Sequence, residues 1–122
     1  MKFKKNKLII EVCEVEFQYD ILDVKYCNEL YIVMLKIPNS VEETDNVYGI
    51  RDDGTVEWRI ENPVNAFEIS NDVKGYAYYE QSIYVGFLDS DEGFLHVVTF
   101  SGMKYKLDCR NGNLVKIESS RW

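Results

Sequence analysis

Four side chains carry the chemistry most often found in active sites: His96, the chain's single histidine, and the thiols of Cys13, Cys27 and Cys109. A catalytic or metal-binding imidazole needs a second group to orient it or share the ion. No spacing here supplies one. The cysteines are odd in number, far apart and without a CxxC pair, so neither a zinc site nor a disulfide framework is indicated. They read as reduced, mostly buried thiols, and His96 as a structural or surface residue of the alternating run Phe94 to Phe100.

Oxygen ligands come next. Asp89-Ser90-Asp91-Glu92-Gly93 looks like the start of a calcium loop, yet it lacks a third regularly spaced ligand and a closing Glu. A solvated hairpin turn is the simpler reading. The pairs Glu14 with Glu16, Glu42 with Glu43 and Asp52 with Asp53 fall on polar strand faces or in turns, where a solvated carboxylate keeps an ordinary proton affinity. There is no Gly-x-Ser-x-Gly elbow, and the seven glycines form no phosphate cradle. These residues point away from an enzyme, and no cofactor, metal or small-molecule substrate is expected.

Charge is the more informative property. The formal net charge is −7, from 21 acidic and 14 basic residues. Lys2, Lys4, Lys5 and Lys7 crowd the first seven positions, so residues 8–122 carry −11. Such a body repels nucleic acid and anionic membrane, and neither is an expected partner. Leu8-Ile9-Ile10 is cut off by Glu11, too short a run for a secretory signal. Residues 1–7 therefore read as a basic tail, and the protein as cytoplasmic.

The elements that would position these residues are strands. From Cys13 to Asp20 every odd position is apolar or aromatic and every even one polar, the period of a half-buried strand. Leu30 to Ile37 is apolar on both faces, as in a strand covered on both sides. Val41 to Asn46 is an acidic loop. The clearest local signal runs from Asn46 to Ile60, where Asp52-Asp53-Gly54 separates two short alternating runs, a β-hairpin. Glu61 to Gly75 is a long loop or one helical turn around Val64 to Ile69. Tyr76 to Asp89 follows as one or two strands, and Phe94 to Phe100, Tyr105 to Cys109 and Leu114 to Glu118 as one each, joined by polar and glycine turns.

The polar-polar-Gly turn before Thr55 recurs before Asn113, 58 residues on. The two turns read as equivalent hairpins. The expected fold is all-β: one domain spanning 1–122, an antiparallel meander of about eight or nine strands forming a twisted sandwich, open barrel or partial propeller, with little or no helix.

Without catalytic groups, the surface becomes the candidate. Acidic residues recur at Glu14, Glu16 and Asp20, in the loop Glu42-Glu43-Asp45, and at Asp89, Asp91 and Glu92. Seventeen aromatics exceed what so small a core needs, and Tyr76, Tyr78, Tyr79, Tyr84 and Trp122 are candidates for exposure. Acidic rims around aromatic anchors suit a basic protein partner. The partner-binding set is therefore Glu14, Glu16, Asp20, Tyr78, Tyr79, Asp89, Asp91 and Glu92.

The run NVYGIRDDGTVEWRIEN, preceded by LYIVMLKIP and followed by YKLDCRNGNLVKIESSRW, resembles small bacterial β-proteins that carry N-V-Y-G-I-x-x-D-G-x-x-x-W-x-I and a final D-x-x-[TN]-G-x-[IL] hairpin. These resemble immunity proteins of polymorphic toxin and contact-dependent inhibition systems, and the single turns are similar to those of quinoprotein-type propeller blades. The matching positions are Asn46, Val47, Tyr48, Gly49, Ile50, Gly54, Trp58, Ile60, Asp108 and Gly112, within Leu30 to the end. The resemblance implies a stoichiometric inhibitor that performs no chemistry and occludes a cognate toxin domain, a basic nuclease by the charge argument. A small acidic interaction module with another partner is the alternative.

Overall fold

A computed structural model of the chain describes residues 2–11, 13–38, 40, 45–60, 83–100 and 102–119. Among the described residues eleven strands form three antiparallel sheets, and no helix occurs. The first sheet holds β1 (Lys2–Lys4), β2 (Lys7–Ile10) and β3 (Cys13–Glu16). The second holds β4 (Ile21–Cys27), β5 (Leu30–Leu35), β6 (Val47–Ile50) and β7 (Val56–Arg59). The third holds β8 (Tyr84–Asp89), β9 (Phe94–Thr99), β10 (Lys104–Asp108) and β11 (Leu114–Ser119). Each sheet is a meander of consecutive strands and none closes into a barrel, so the architecture is three meanders in place of one.

The strands beyond the expected eight or nine lie near the N-terminus, and each has a physical reason for being inconspicuous. β1 is exposed along its length and is held by pairing, Lys2 opposite Ile9 and Phe3 opposite Leu8. The Lys-rich start is thus an edge strand, and lysine on an edge discourages pairing with another chain. β4 carries a bulge between Ile21 and Asp23, which shifts the side-chain alternation in mid-strand and erases its period.

Sheet packing follows from β5, which lies between β4 and β6. Its side chains alternate between two cores. Leu30, Ile32 and Met34 join Val47, Trp58 and Ile60 against Leu95, Val97, Tyr105, Leu107 and Leu114 of the third sheet. Val33 and Leu35 join Ile21, Val24, Ile37 and Ile50 against Leu8 and Ile10 of the first. The second sheet is therefore the middle layer, and the run that is apolar on both faces is its centre.

The repeated turn occupies the same place in both four-stranded meanders, between third and fourth strands. Gly54 (φ 86°) and Gly112 (φ 77°) both adopt the left-handed backbone that favours glycine. Before each glycine a side-chain oxygen accepts from the N–H just after it: Asp53 Oδ1 from Thr55 at 3.0 Å, Asn111 Oδ1 from Asn113 at 2.9 Å. These are Asx turns in matching register.

Two polar contacts lock the middle sheet to the third. Asn46, fully buried, donates to Leu35 O and Tyr84 O at 2.8 Å each and accepts from Tyr84 N at 3.0 Å. Its amide thereby stands in for a peptide unit beside β8. The Trp58 indole N–H donates to Cys109 O at 2.8 Å.

Candidate partner-binding surface

Antiparallel meanders place alternate turns at the same end, and the packing brings the ends of the two large sheets together. One open cleft of about 650 Å³ is lined by Tyr26, Asn28, Glu29, Leu30, Arg51, Asp52, Asp53, Glu57 and Arg110. A smaller one beside it is lined by Asn28, Glu92, Gly93, Phe94 and Arg110. The turns after β4, β6, β8 and β10 thus share one end of the molecule. The turn after β2 reaches it too, since Cys13 Sγ lies 3.6 Å from Asp52 O.

This end is acidic after its ion pairs are taken out. Arg51 pairs with Glu57, Lys106 with Asp91 at 2.7 Å, and Arg110 with Asp108 through Nε at 3.0 Å and Nη2 at 2.8 Å. Among the described residues no cation pairs with Glu11, Glu29, Asp52 or Glu92. Their field reaches the ring beside them: burial first, then the Asp52 and Glu11 carboxylates among the neighbours, push the Tyr31 phenol above its ordinary value. The paired carboxyls shift the other way. The Arg110 hydrogen bond holds Asp108 low, the Lys106 ammonium holds Asp91 low, and the Thr55 hydrogen bonds hold Asp53 low.

An aromatic stands at the rim. Tyr26 is 57% exposed and packs on Tyr31 with ring centroids 5.0 Å apart. Sequence reasoning missed it, although Tyr26 lies on the same strand face as Val24 by simple alternation. Its exposure comes from β4 being the edge strand of the middle sheet.

The residues nominated from sequence do not form one patch. Glu14 and Glu16 lie on the outer face of the first sheet among the lysines of β1 and β2, with Lys7 opposite Glu16 and its Nζ 3.3 Å from Glu14. Glu16 Oε1 also accepts from Asn6 at 3.4 Å. Asp20 precedes β4, whereas Asp91 and Glu92 flank the turn that packs near Asn28 beyond its other end. A seven-residue strand spans about 23 Å, which separates Asp20 from that turn. Asp89 closes β8 opposite Leu95.

Tyr84 is a correction. Expected among the exposed aromatics, it is 1% exposed, facing the middle sheet with its backbone held by Asn46. Tyr76, Tyr78, Tyr79 and Trp122 lie outside the described residues, as do Glu42, Glu43 and the segment 61–82. His96 sits half-buried on β9 opposite Lys106. No group of His, Cys, Asp and Glu suited to a metal ion occurs among the described residues.

A family model described as a domain of unknown function, DUF7957, matches residues 1–119, nearly the whole chain. No curated protein and no solved structure matches it.

Proposed function

We propose that this chain, which belongs to the DUF7957 family, binds a basic protein partner through the acidic turn end, and that the partner is a toxin domain whose active site it occludes. The observation that carries the reading is the gathering of Glu11, Glu29, Asp52 and Glu92, each without a cationic partner among the described residues, beside the exposed ring of Tyr26. Four carboxylates at one end raise the association rate with a cationic surface, and a tyrosine that becomes buried slows dissociation. The toxin assignment rests on the resemblance of residues 46–60 and 108–114 to immunity proteins. A nuclease active site is built to hold phosphates, and carboxylates set at phosphate-like positions occupy it without reacting.

In this reading the protein acts one to one, performs no catalysis, and works in the cytoplasm where such a toxin would act. A second reading keeps the acidic end and drops the toxin: an interaction module for another basic protein. The two part in one experiment. The immunity reading expects the gene immediately upstream to encode a basic toxin domain, and mixing the chain with that domain to give a tight, salt-sensitive complex that protects RNA or DNA from cleavage. No complex with that domain at low salt overturns the immunity reading and leaves the module.

A further inference from the structure

We infer that Asn111 is a deamidation site that the fold holds shut, its carboxamide converting to a carboxylate by reaction with water when the turn between β10 and β11 opens. Asn111 is the one asparagine of the sequence that is followed by glycine. The reaction begins when the backbone nitrogen of the next residue attacks the asparagine carboxamide. Any side chain on that next residue hinders the attack, and glycine has none. Asn111 itself is exposed, so the water for the later step is at hand.

What the fold withholds is the nitrogen. Gly112 is buried, and its N–H donates to Asp108 O at 2.9 Å. The proton that must leave is therefore engaged and out of reach of base. The carboxamide is tied as well, since Asn111 Oδ1 accepts from Asn113 N at 2.9 Å. Asp108 N donates to Asn113 O at 2.9 Å and closes the base of the turn, while the Trp58 ring lies against Gly112 and leaves its peptide no room to rotate in place. Ring closure thus waits for local opening, and its rate scales with the fraction of time the turn is open.

The chemistry needs only water. Base removes the Gly112 N–H proton and the nitrogen bonds to Asn111 Cγ, closing a succinimide ring; the carboxamide C–N bond breaks, and its nitrogen takes a proton from solvent and leaves as ammonia. Water then opens the ring. Addition at Cγ breaks the new bond to Gly112 N and leaves aspartate, whereas addition at the Asn111 backbone carbonyl carbon leaves isoaspartate. In both routes an amide and a water become a carboxylate and an ammonium ion. The fold accepts the products unequally. Asp53 holds the equivalent place in the other repeated turn and its Oδ1 accepts from Thr55 N at 3.0 Å, so aspartate at position 111 keeps the turn. Isoaspartate lengthens the backbone immediately before Gly112, where Trp58 leaves no slack, and keeps the turn open.

The test uses the full chain, incubated at mildly alkaline pH in native buffer or in guanidinium chloride that unfolds it, then digested and read by mass spectrometry with the aspartate and isoaspartate peptides separated. In denaturant Asn111 is expected to convert before any other asparagine, to both products. In native buffer its conversion is expected to be at least about a hundredfold slower, in step with the exchange protection of the Gly112 amide. Asn111→Gln is expected to abolish the fast conversion in denaturant, and Asn111→Asp to fold with a Tm close to the parent's. Conversion at comparable rates in the two conditions, or first at another asparagine in denaturant, overturns the proposal. An Asn111→Asp protein that does not fold overturns the account of the products.

Discussion

The six-membered ring of Trp58 lies so close over Gly112 that a Cβ at residue 112 would stand 2.5 Å from its Cε3 atom. Gly49, opposite Trp58 on the neighbouring strand, lies as close on its own side, with a Cβ there 2.4 Å from Cε2. The indole is thus held between two glycines from different sheets while its N–H reaches Cys109 O. A side chain the size of tryptophan fits between stacked sheets only where neighbouring backbone comes this near.

Gly112→Ala therefore combines a clash with a left-handed backbone, and is expected to cost about 3 kcal/mol or more. Gly93→Ala is the control, since Gly93 has φ 84° but nothing within 4 Å of its Cβ position. It carries only the backbone cost, about 1 kcal/mol. Urea denaturation of the two variants measures the difference, and equal losses would show that the Trp58 contact does not matter.

Asn46 makes three hydrogen bonds in a fully buried position. Asn46→Ala leaves two carbonyls and one N–H without that partner, at about 1–3 kcal/mol for each group left unsatisfied, and is expected to cost at least about 3 kcal/mol in all. Hydrogen exchange should locate the loss at the Tyr84 amide, which would otherwise rank among the slowest.

The turn between β4 and β5 has positive φ at both Asn28 (54°) and Glu29 (64°), the geometry of a type I′ hairpin. Asparagine tolerates it; glutamate adopts it at a steric cost. Glu29→Gly removes the strain and is expected to stabilise the fold by about 0.5–1 kcal/mol, less than the full left-handed penalty because glycine loses more entropy on folding. Thermal unfolding reads it as a raised Tm.

Asp108 is nearly buried and its carboxyl is depressed chiefly by the Arg110 hydrogen bond. A depressed carboxyl contributes stability that is present above its unfolded value, near 3.9, and lost as pH falls through the folded value. Arg110→Met is thus expected to lose a little stability at neutral pH, the guanidinium being largely exposed, and to match the parent once Asp108 is protonated in both. Denaturation midpoints across the acid range check the convergence.

These positions also mark how far the sequence could be read. The hairpin around Asp52-Asp53-Gly54 and the strands at Phe94 and Leu114 were legible because their turns use glycine, and the strand at Leu30 because it is apolar on both faces. The β4 to β5 turn was not, because glutamate occupies a backbone position that normally signals itself with glycine, and a bulge breaks the alternation of β4. The charge is not spread as the sequence alone suggests: β1 and β2 fold the lysines back across Glu14 and Glu16, while Glu11, Glu29, Asp52 and Glu92, which pair with no cation among the described residues, lie at the turn end. Pairing between strands sets that distribution, and pairing leaves little mark on local sequence.

The central claim is that a basic partner meets the turn end and not the outer face of the first sheet. The direct test is the affinity of the basic domain that the immunity reading expects from the upstream gene for two charge-removed proteins, measured by isothermal titration at fixed salt. One carries Glu11→Gln, Glu29→Gln, Asp52→Asn and Glu92→Gln; the other carries Glu14→Gln and Glu16→Gln. Binding through the turn end predicts at least about a hundredfold loss in the first and less than about threefold change in the second. An unchanged affinity in the first with a large loss in the second would contradict it.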